Sequence, residues 1–164
     1  MVLGQYFLGI ESSGILLEVV LHLGTLLSIL LYYRLDVMDL LQGIFKRDPE
    51  SLNYTLMVVV ATVPAVIVGL LFKVQLETLF LPQFVPYMLL ITGGVLISTK
   101  YTSETHLKMT FQIAILIGFA QVFAMIPGIS RSGVTISVAI FLGIHRAGAA
   151  KFSFFMAIPV LLGA

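Results

Sequence analysis

Cysteine and tryptophan are absent from the 164 residues, and formal charge is scarce, with nine lysines and arginines and eight aspartates and glutamates. Without cysteine there is no disulfide, no thiolate metal site and no thiol nucleophile. A net charge of +1 offers no basic face for a polyanion, which excludes nucleic acid as a partner. Charged residues make up 10% of the chain, against about 25% in a soluble domain. With 59% apolar residues and a mean hydropathy of +1.09, too little polar surface is left to cover a particle in water. The sequence is therefore built for lipid, and soluble enzymes and disordered tails are excluded. The opening Met-Val-Leu-Gly has no positive region and the first basic residue is Arg34, so no signal peptide is expected. No tandem repeat, low-complexity tract or long linker divides the chain, which reads as one multi-pass all-α membrane domain.

The charges that are present organise the chain. Residues 51–72, 78–99 and 109–130 are each free of Asp, Glu, Lys and Arg. At 1.5 Å per residue, each is long enough to cross a hydrocarbon layer of about 30 Å. A fourth apolar stretch holds Glu18 and His22, and a fifth runs to Ala164. The predicted transmembrane helices are 14–33, 51–72 and 83–99, with the start of a further one at 148–164. Between them, Arg34, Lys46, Arg47, Lys100 and Lys108 fall on one side and Lys73 on the other. The positive-inside rule then places the loops 34–50 and 100–108 in the cytoplasm.

Residues 109–144 carry a single charge, Arg131, within Met125-Ile-Pro-Gly-Ile-Ser-Arg-Ser-Gly-Val-Thr135. The arm that follows it gives only about 20 Å of helix, which is short for a crossing. Arg146 and Lys151 come next and mark a second cytoplasmic flank. The pattern predicts a re-entrant hairpin over 109–144 with its turn at membrane depth. Irregular backbone at that depth is tolerated only where protein or a wet cavity surrounds it, so the turn should line a site.

The chemistry of the turn is anion recognition. Pro127 and Gly128 end one helix, and Ser130 or Ser132 can cap the next, at whose N-terminus backbone N–H groups and the helix dipole favour negative charge. Arg131 adds a planar, permanently charged fork suited to phosphate oxygens. The hydroxyls of Ser130, Ser132 and Thr135 supply further donors, and Gly133 lets a ligand approach the backbone. Gln121, one to two turns before Pro127, can reach the hairpin tip or bond to a neighbouring helix. The structural alternative for Arg131 is a helix break whose arginine snorkels to the interface. Glu18 and His22, four residues apart on one helical face, form either an accessory pair beside the site or a structural one. Gly24, Gly69, Gly93, Gly94, Gly118 and Ala120 read as packing positions between membrane helices.

Pro127-Gly-Ile-Ser-Arg-Ser-Gly-Val-Thr135, with Leu142-Gly-Ile-His-Arg-Ala-Gly-Ala-Ala-Lys-Phe-Ser-Phe-Phe-Met-Ala-Ile-Pro159, resembles the second signature of the undecaprenyl pyrophosphate phosphatases, the bacitracin-resistance membrane proteins. Leu17-Glu-Val-Val-Leu-His-Leu-Gly-Thr25 resembles the first long helix of the same family. The resemblance implies two inverted repeats, each a re-entrant hairpin followed by membrane helices, in the bacterial cytoplasmic (inner) membrane. It implies hydrolysis of a polyprenyl diphosphate to the monophosphate, which recycles the cell-wall lipid carrier and confers bacitracin resistance. Carried over by position, Arg131 matches the phosphate-binding arginine, and Gly128, Ser130, Ser132 and Thr135 its flanking signature. The resemblance also implies a divalent cation, Mg or Ca, for which the sequence offers few carboxylates.

The family's earlier signature, a Glu-rich helix leading into Pro-x-Ser-Ser-x-Gly-His, has no match. The chain is therefore expected to be an internal portion of such an enzyme, or a truncated product, without the family's nucleophile and acid/base residues. The partners implied are the polyprenyl diphosphate lipid and the membrane, with the site opening to the outer face, and a homodimer is compatible with a small multi-pass protein. The alternative reading is a polyprenyl-phosphate flippase or other small transporter, because inverted repeats with broken helices are also transporter architecture.

Overall fold

The protein is described here from a computed structural model covering residues 15–72, 84–103 and 105–163. Among these residues all regular structure is helical: α1 (Ile15–Tyr32), α2 (Arg34–Phe45), α3 (Pro49–Leu71), α4 (Val85–Ser98), α5 (Phe111–Phe123), α6 (Arg131–Phe141) and α7 (Arg146–Gly163). α4 runs on into a short 3-10 turn, Thr99–Tyr101. Helices α3 and α7 are each long and apolar enough to span a bilayer. The architecture is an all-α membrane fold.

The segment 34–50, expected as a loop, is mostly helix. α2 leaves α1 at Tyr33 with a bend of 79°. Its charges, Arg34, Asp36 and Asp39, mark the end of an apolar run in the sequence and obscure a second pattern. Val37, Leu40 and Ile44 recur at helical spacing, and Val37 and Leu40 pack against the core with Tyr33. Asp48 then caps α3 by accepting the Ser51 backbone N–H at 2.9 Å and the Ser51 hydroxyl at 2.8 Å, with Pro49 in the first helical turn.

The core lies where α3, α5, α6 and α7 meet, and small residues bring the helices together. Ala61, Ala114, Ala139 and Ala149 are fully buried around Ile117, Phe152 and Met156. A Cβ on Gly118 would lie 2.4 Å from the Ala61 carbonyl oxygen, so α3 and α5 touch backbone to backbone. The Tyr54 ring stands edge-on to both Phe152 and Phe155, with centroids 5.9 Å away in each case. Large apolar side chains such as Leu27, Leu31, Ile67, Leu70, Phe119 and Phe123 point outward. A protein in water would hide these; in a bilayer they face their solvent.

Two sets of contacts fix the ends of the α5–α6 pair. At one end, the turn after α6 docks on the segment after α4: the Leu107 backbone N–H donates to the Gly143 carbonyl, and the Arg146 guanidinium to that of Thr99. Gly143, at φ +89°, ends α6 in a left-handed conformation, and the Ile144 N–H donates back to Ala139. Lys151 pairs with Asp36 at this same end. At the other end, the 124–130 turn rests on the start of α4 and the last turn of α3. A Cβ on Gly128 would lie 2.9 Å from Val85, and one on Gly69 3.0 Å from the Met125 methyl. The chain thus climbs along α5, turns beside Val85, and returns along α6 to the end from which it set out.

Candidate functional site

The turn is built by local hydrogen bonds that leave selected groups free. The Ile126 N–H donates to Phe123 and that of Ile129 to Ile126, closing the chain after α5. Gly128 adopts φ +90° against the Val85 backbone, a position for which any side chain is both strained and too large. Ser130, one of two candidate caps in the sequence, is the N-cap of α6: its hydroxyl oxygen accepts the Gly133 N–H at 3.1 Å, and its carbonyl that of Val134 at 2.9 Å. This leaves the N–H groups of Arg131 and Ser132 without acceptors among the described residues, at the positive end of the helix dipole.

Arg131 is half-buried, and among the described residues its guanidinium has no carboxylate or carbonyl partner. The neighbouring Ser132 is also half-buried, and its hydroxyl is likewise unengaged there. The start of α6 therefore carries a guanidinium, two backbone N–H groups and a serine hydroxyl, all capable of donating and none paired among the described residues. An arginine kept partly out of water without a counter-charge is costly, and an anion there relieves that cost.

Other residues singled out in the sequence hold the turn instead of facing outward. Thr135 is 1% exposed; its hydroxyl donates to the Arg131 carbonyl at 2.9 Å and pairs with the Ser153 hydroxyl at 2.5 Å. The approach expected of a ligand over Gly133 is made by Thr92, whose methyl would be 2.9 Å from a Cβ there. Gln121 is 2% exposed on the α5 face that includes Ile117 and Gly118, and its amide nitrogen is buried without a partner among the described residues. His22 is half-buried on α1, whose main packing is on α7, and the Glu18 side chain lies outside the described residues.

Thr92 went unnoticed in the sequence. It is 3% exposed on α4; its hydroxyl donates to Met88 at 2.9 Å, which leaves the oxygen to accept the Ser130 N–H at 3.3 Å. The same side chain thus fixes the cap from outside the hairpin and fills the notch at Gly133. A lone threonine in an apolar helix gives no local signal of such a role.

No group of three or more His, Asp or Glu side chains able to hold a metal ion occurs among the described residues. The hairpin tip itself offers hydroxyls, amides and a cation, a donor set for an anion and not for Mg or Ca.

The family model of the bacitracin resistance protein BacA matches residues 1–164. An undecaprenyl-diphosphatase of Christiangramia forsetii is 42% identical over 167 residues, covering 98% of this chain and 63% of that protein. An undecaprenyl-diphosphatase 3 of Acinetobacter baylyi is 40% identical, covering 94% and 60%. One from Elusimicrobium minutum is 36% identical, covering 100% and 65%. The chain spans less than two thirds of the length of each of these curated relatives.

Proposed function

The chain belongs to the bacitracin resistance protein BacA family, and from that premise we propose that it forms the phosphate-binding part of an undecaprenyl-diphosphatase. The observation that carries this reading is the half-buried, unpaired Arg131 guanidinium beside the free N–H groups of Arg131 and Ser132. The relatives' names supply the substrate, undecaprenyl diphosphate, and the hairpin tip supplies a complementary cradle.

In the reaction, water adds to the terminal phosphorus and the bond to the bridging oxygen breaks, giving the lipid monophosphate and inorganic phosphate. Charge grows on the bridging oxygen as it leaves, while the terminal oxygens carry charge throughout. Arg131 neutralises phosphate oxygens through its planar fork, and the two N–H groups donate along the helix axis. Because Thr92, Ser130 and Thr135 hold these donors in place beforehand, little reorganisation is needed as charge develops. The described residues do not fit a divalent cation, and no step here passes through one.

In the bilayer, α1 and α3 cross, α5 and α6 form a re-entrant pair, and the loops rich in Lys and Arg lie in the cytoplasm. In this orientation the tip lies near the outer end of α4 and opens to the outer face, a reading that the contact of Gly128 with Val85 supports.

The test is phosphate release from undecaprenyl diphosphate in detergent by the complete protein. Arg131→Ala should lower turnover by about 100-fold or more, the scale of losing one preorganised oxyanion donor. Arg131→Lys should recover only part of it, because an ammonium cannot reproduce the bidentate fork. Wild-type protein that binds the lipid and releases no phosphate would favour the transporter reading instead.

A further inference from the structure

Helix α2 has an apolar face that nothing among the described residues covers. Leu35, Met38, Leu41 and Phe45 are 68%, 53%, 50% and 87% exposed. Asp36 and Asp39 stand two positions before Met38 and Leu41, and at about 100° per residue this sets them on the opposite side of the helix. That acidic side lines an open cavity of about 280 Å³, shared with Asp48, Glu50 and Tyr54, and Asp36 pairs there with Lys151. A third side, Val37 and Leu40, packs on the core. The helix therefore has a water side, a protein side and an unclaimed apolar side.

Its setting identifies the occupant. α2 departs from α1 at 79°, so if α1 runs across the bilayer, α2 runs nearly in its plane. Exposed apolar residues lie on both sides of the bend, Leu27 and Leu31 on α1, Tyr32, 81% exposed, at the corner, and Leu35 and Met38 on α2. Exposed basic residues mark both ends of α2, Arg34 at its first position and Lys46 and Arg47 just after it, where they can meet headgroup phosphates. An apolar side opposite a charged one suits a helix lying in a membrane interface, and here the cations that can meet headgroups stand at its ends while the acidic side is turned away from lipid.

We propose that α2 is an interfacial helix, seated in the cytoplasmic leaflet with Met38, Leu41 and Phe45 among the upper acyl chains and Asp36 and Asp39 facing water. This rests on the reading that α1 crosses the membrane. It assigns α2 a lipid-binding surface separate from the phosphate site. The occupant is lipid and not a second copy of the chain, because exposed apolar residues follow from α1 through Tyr32 into α2 and exposed basic residues bracket them.

The 164 residues contain no cysteine, so single cysteines can be placed and spin-labelled without background. Met38→Cys, Leu41→Cys, Phe45→Cys and Asp39→Cys would be made in the full chain, reconstituted in phospholipid nanodiscs, and probed by collision with oxygen and with a water-soluble nickel chelate. Leu27→Cys, exposed on α1, serves as the reference for lipid. Labels at 38, 41 and 45 should shift toward the Leu27 value, with high oxygen and low nickel collision, and the label at 39 should show the reverse. Nickel access at 38, 41 and 45 equal to that at 39, with Leu27 still in lipid, would overturn the proposal and leave the spanning of α1 intact. Shielding of these labels from both reagents would overturn it in favour of a protein partner. Nickel access at Leu27 itself would remove the premise.

Discussion

The hydroxyls of Thr135 and Ser153 share a buried hydrogen bond of 2.5 Å that joins the returning arm of the hairpin to helix α7. Thr135 directs its single proton at the Arg131 carbonyl, so Ser153 is the donor of the pair. The chain of contacts runs from α7 through Thr135 to the first turn of α6, where the Arg131 guanidinium is mounted.

Ser153→Ala removes that donor and should lower stability by about 0.6 kcal/mol, with about 1.7 kcal/mol as the upper end for hydrogen bonds between membrane helices. Thr135→Val should cost more, because its threonine also bonds within the first turn. A double-mutant cycle by denaturant unfolding in mixed micelles measures the coupling; strict additivity would show that the two hydroxyls do not depend on each other.

Thr92→Val keeps the shape that fills the Gly133 notch and removes the acceptor of the Ser130 N–H. Turnover should fall several-fold as the cap loosens, whereas Thr92→Ser, which retains the oxygen, should stay closer to wild type. If the valine variant proves fully active and the serine variant impaired, the methyl contact is what positions the turn.

Gly128→Ala places a Cβ 2.9 Å from the Val85 backbone at φ +90°. The left-handed conformation alone costs about 1–2 kcal/mol for a residue with a side chain, and the clash adds to it. Gly94→Ala, with nothing within 4 Å of its added Cβ, should be neutral or stabilising. Thermal unfolding of the two variants in one detergent compares them directly.

The Gln121 amide nitrogen is buried and unpaired, and such a donor costs about 1–3 kcal/mol. Gln121→Met, close in volume and apolar, should therefore raise the unfolding midpoint. A lower midpoint would mean that the amide has a partner in the membrane-bound protein.

Asp48 accepts hydrogen bonds from the backbone and side chain of Ser51, and these hold its carboxyl below the usual aspartate range. A lowered folded-state value means that the cap stabilises above the unfolded carboxyl range and that this contribution is lost as pH falls through the folded value. Unfolding followed from neutral to acid pH should show Asp48→Asn less pH-dependent than wild type. An unchanged profile would remove Asp48 as a contributor.

The membrane character was legible in the sequence, and so were the residues on which the proposed anion site rests, because both depend on local properties. One charge inside a long apolar stretch, next to Pro127 and Gly128, stands out whatever the fold around it. The capping role of Ser130 was legible as one of two alternatives, and the backbone hydrogen bonds chose between them. Helix α2 was misread as a loop because its three early charges outweigh, in a linear reading, the spacing of Val37, Leu40 and Ile44. Only packing against the core shows Val37 and Leu40 on that side to be partly buried.

The sequence by itself determined the solvent this protein is built for and singled out Arg131, the cation proposed to meet a phosphate. Tertiary structure decided which groups remain free to do so. Thr92 reaches Ser130 across 38 positions and Ser153 reaches Thr135 across 18, distances at which no periodicity links two residues. Those contacts take up the Thr135 hydroxyl and the space over Gly133, and leave Arg131 and Ser132 unpaired among the described residues. The physical reason is that each hydroxyl has one proton and each cavity one occupant, so which groups are spent and which are available is settled only when the helices pack.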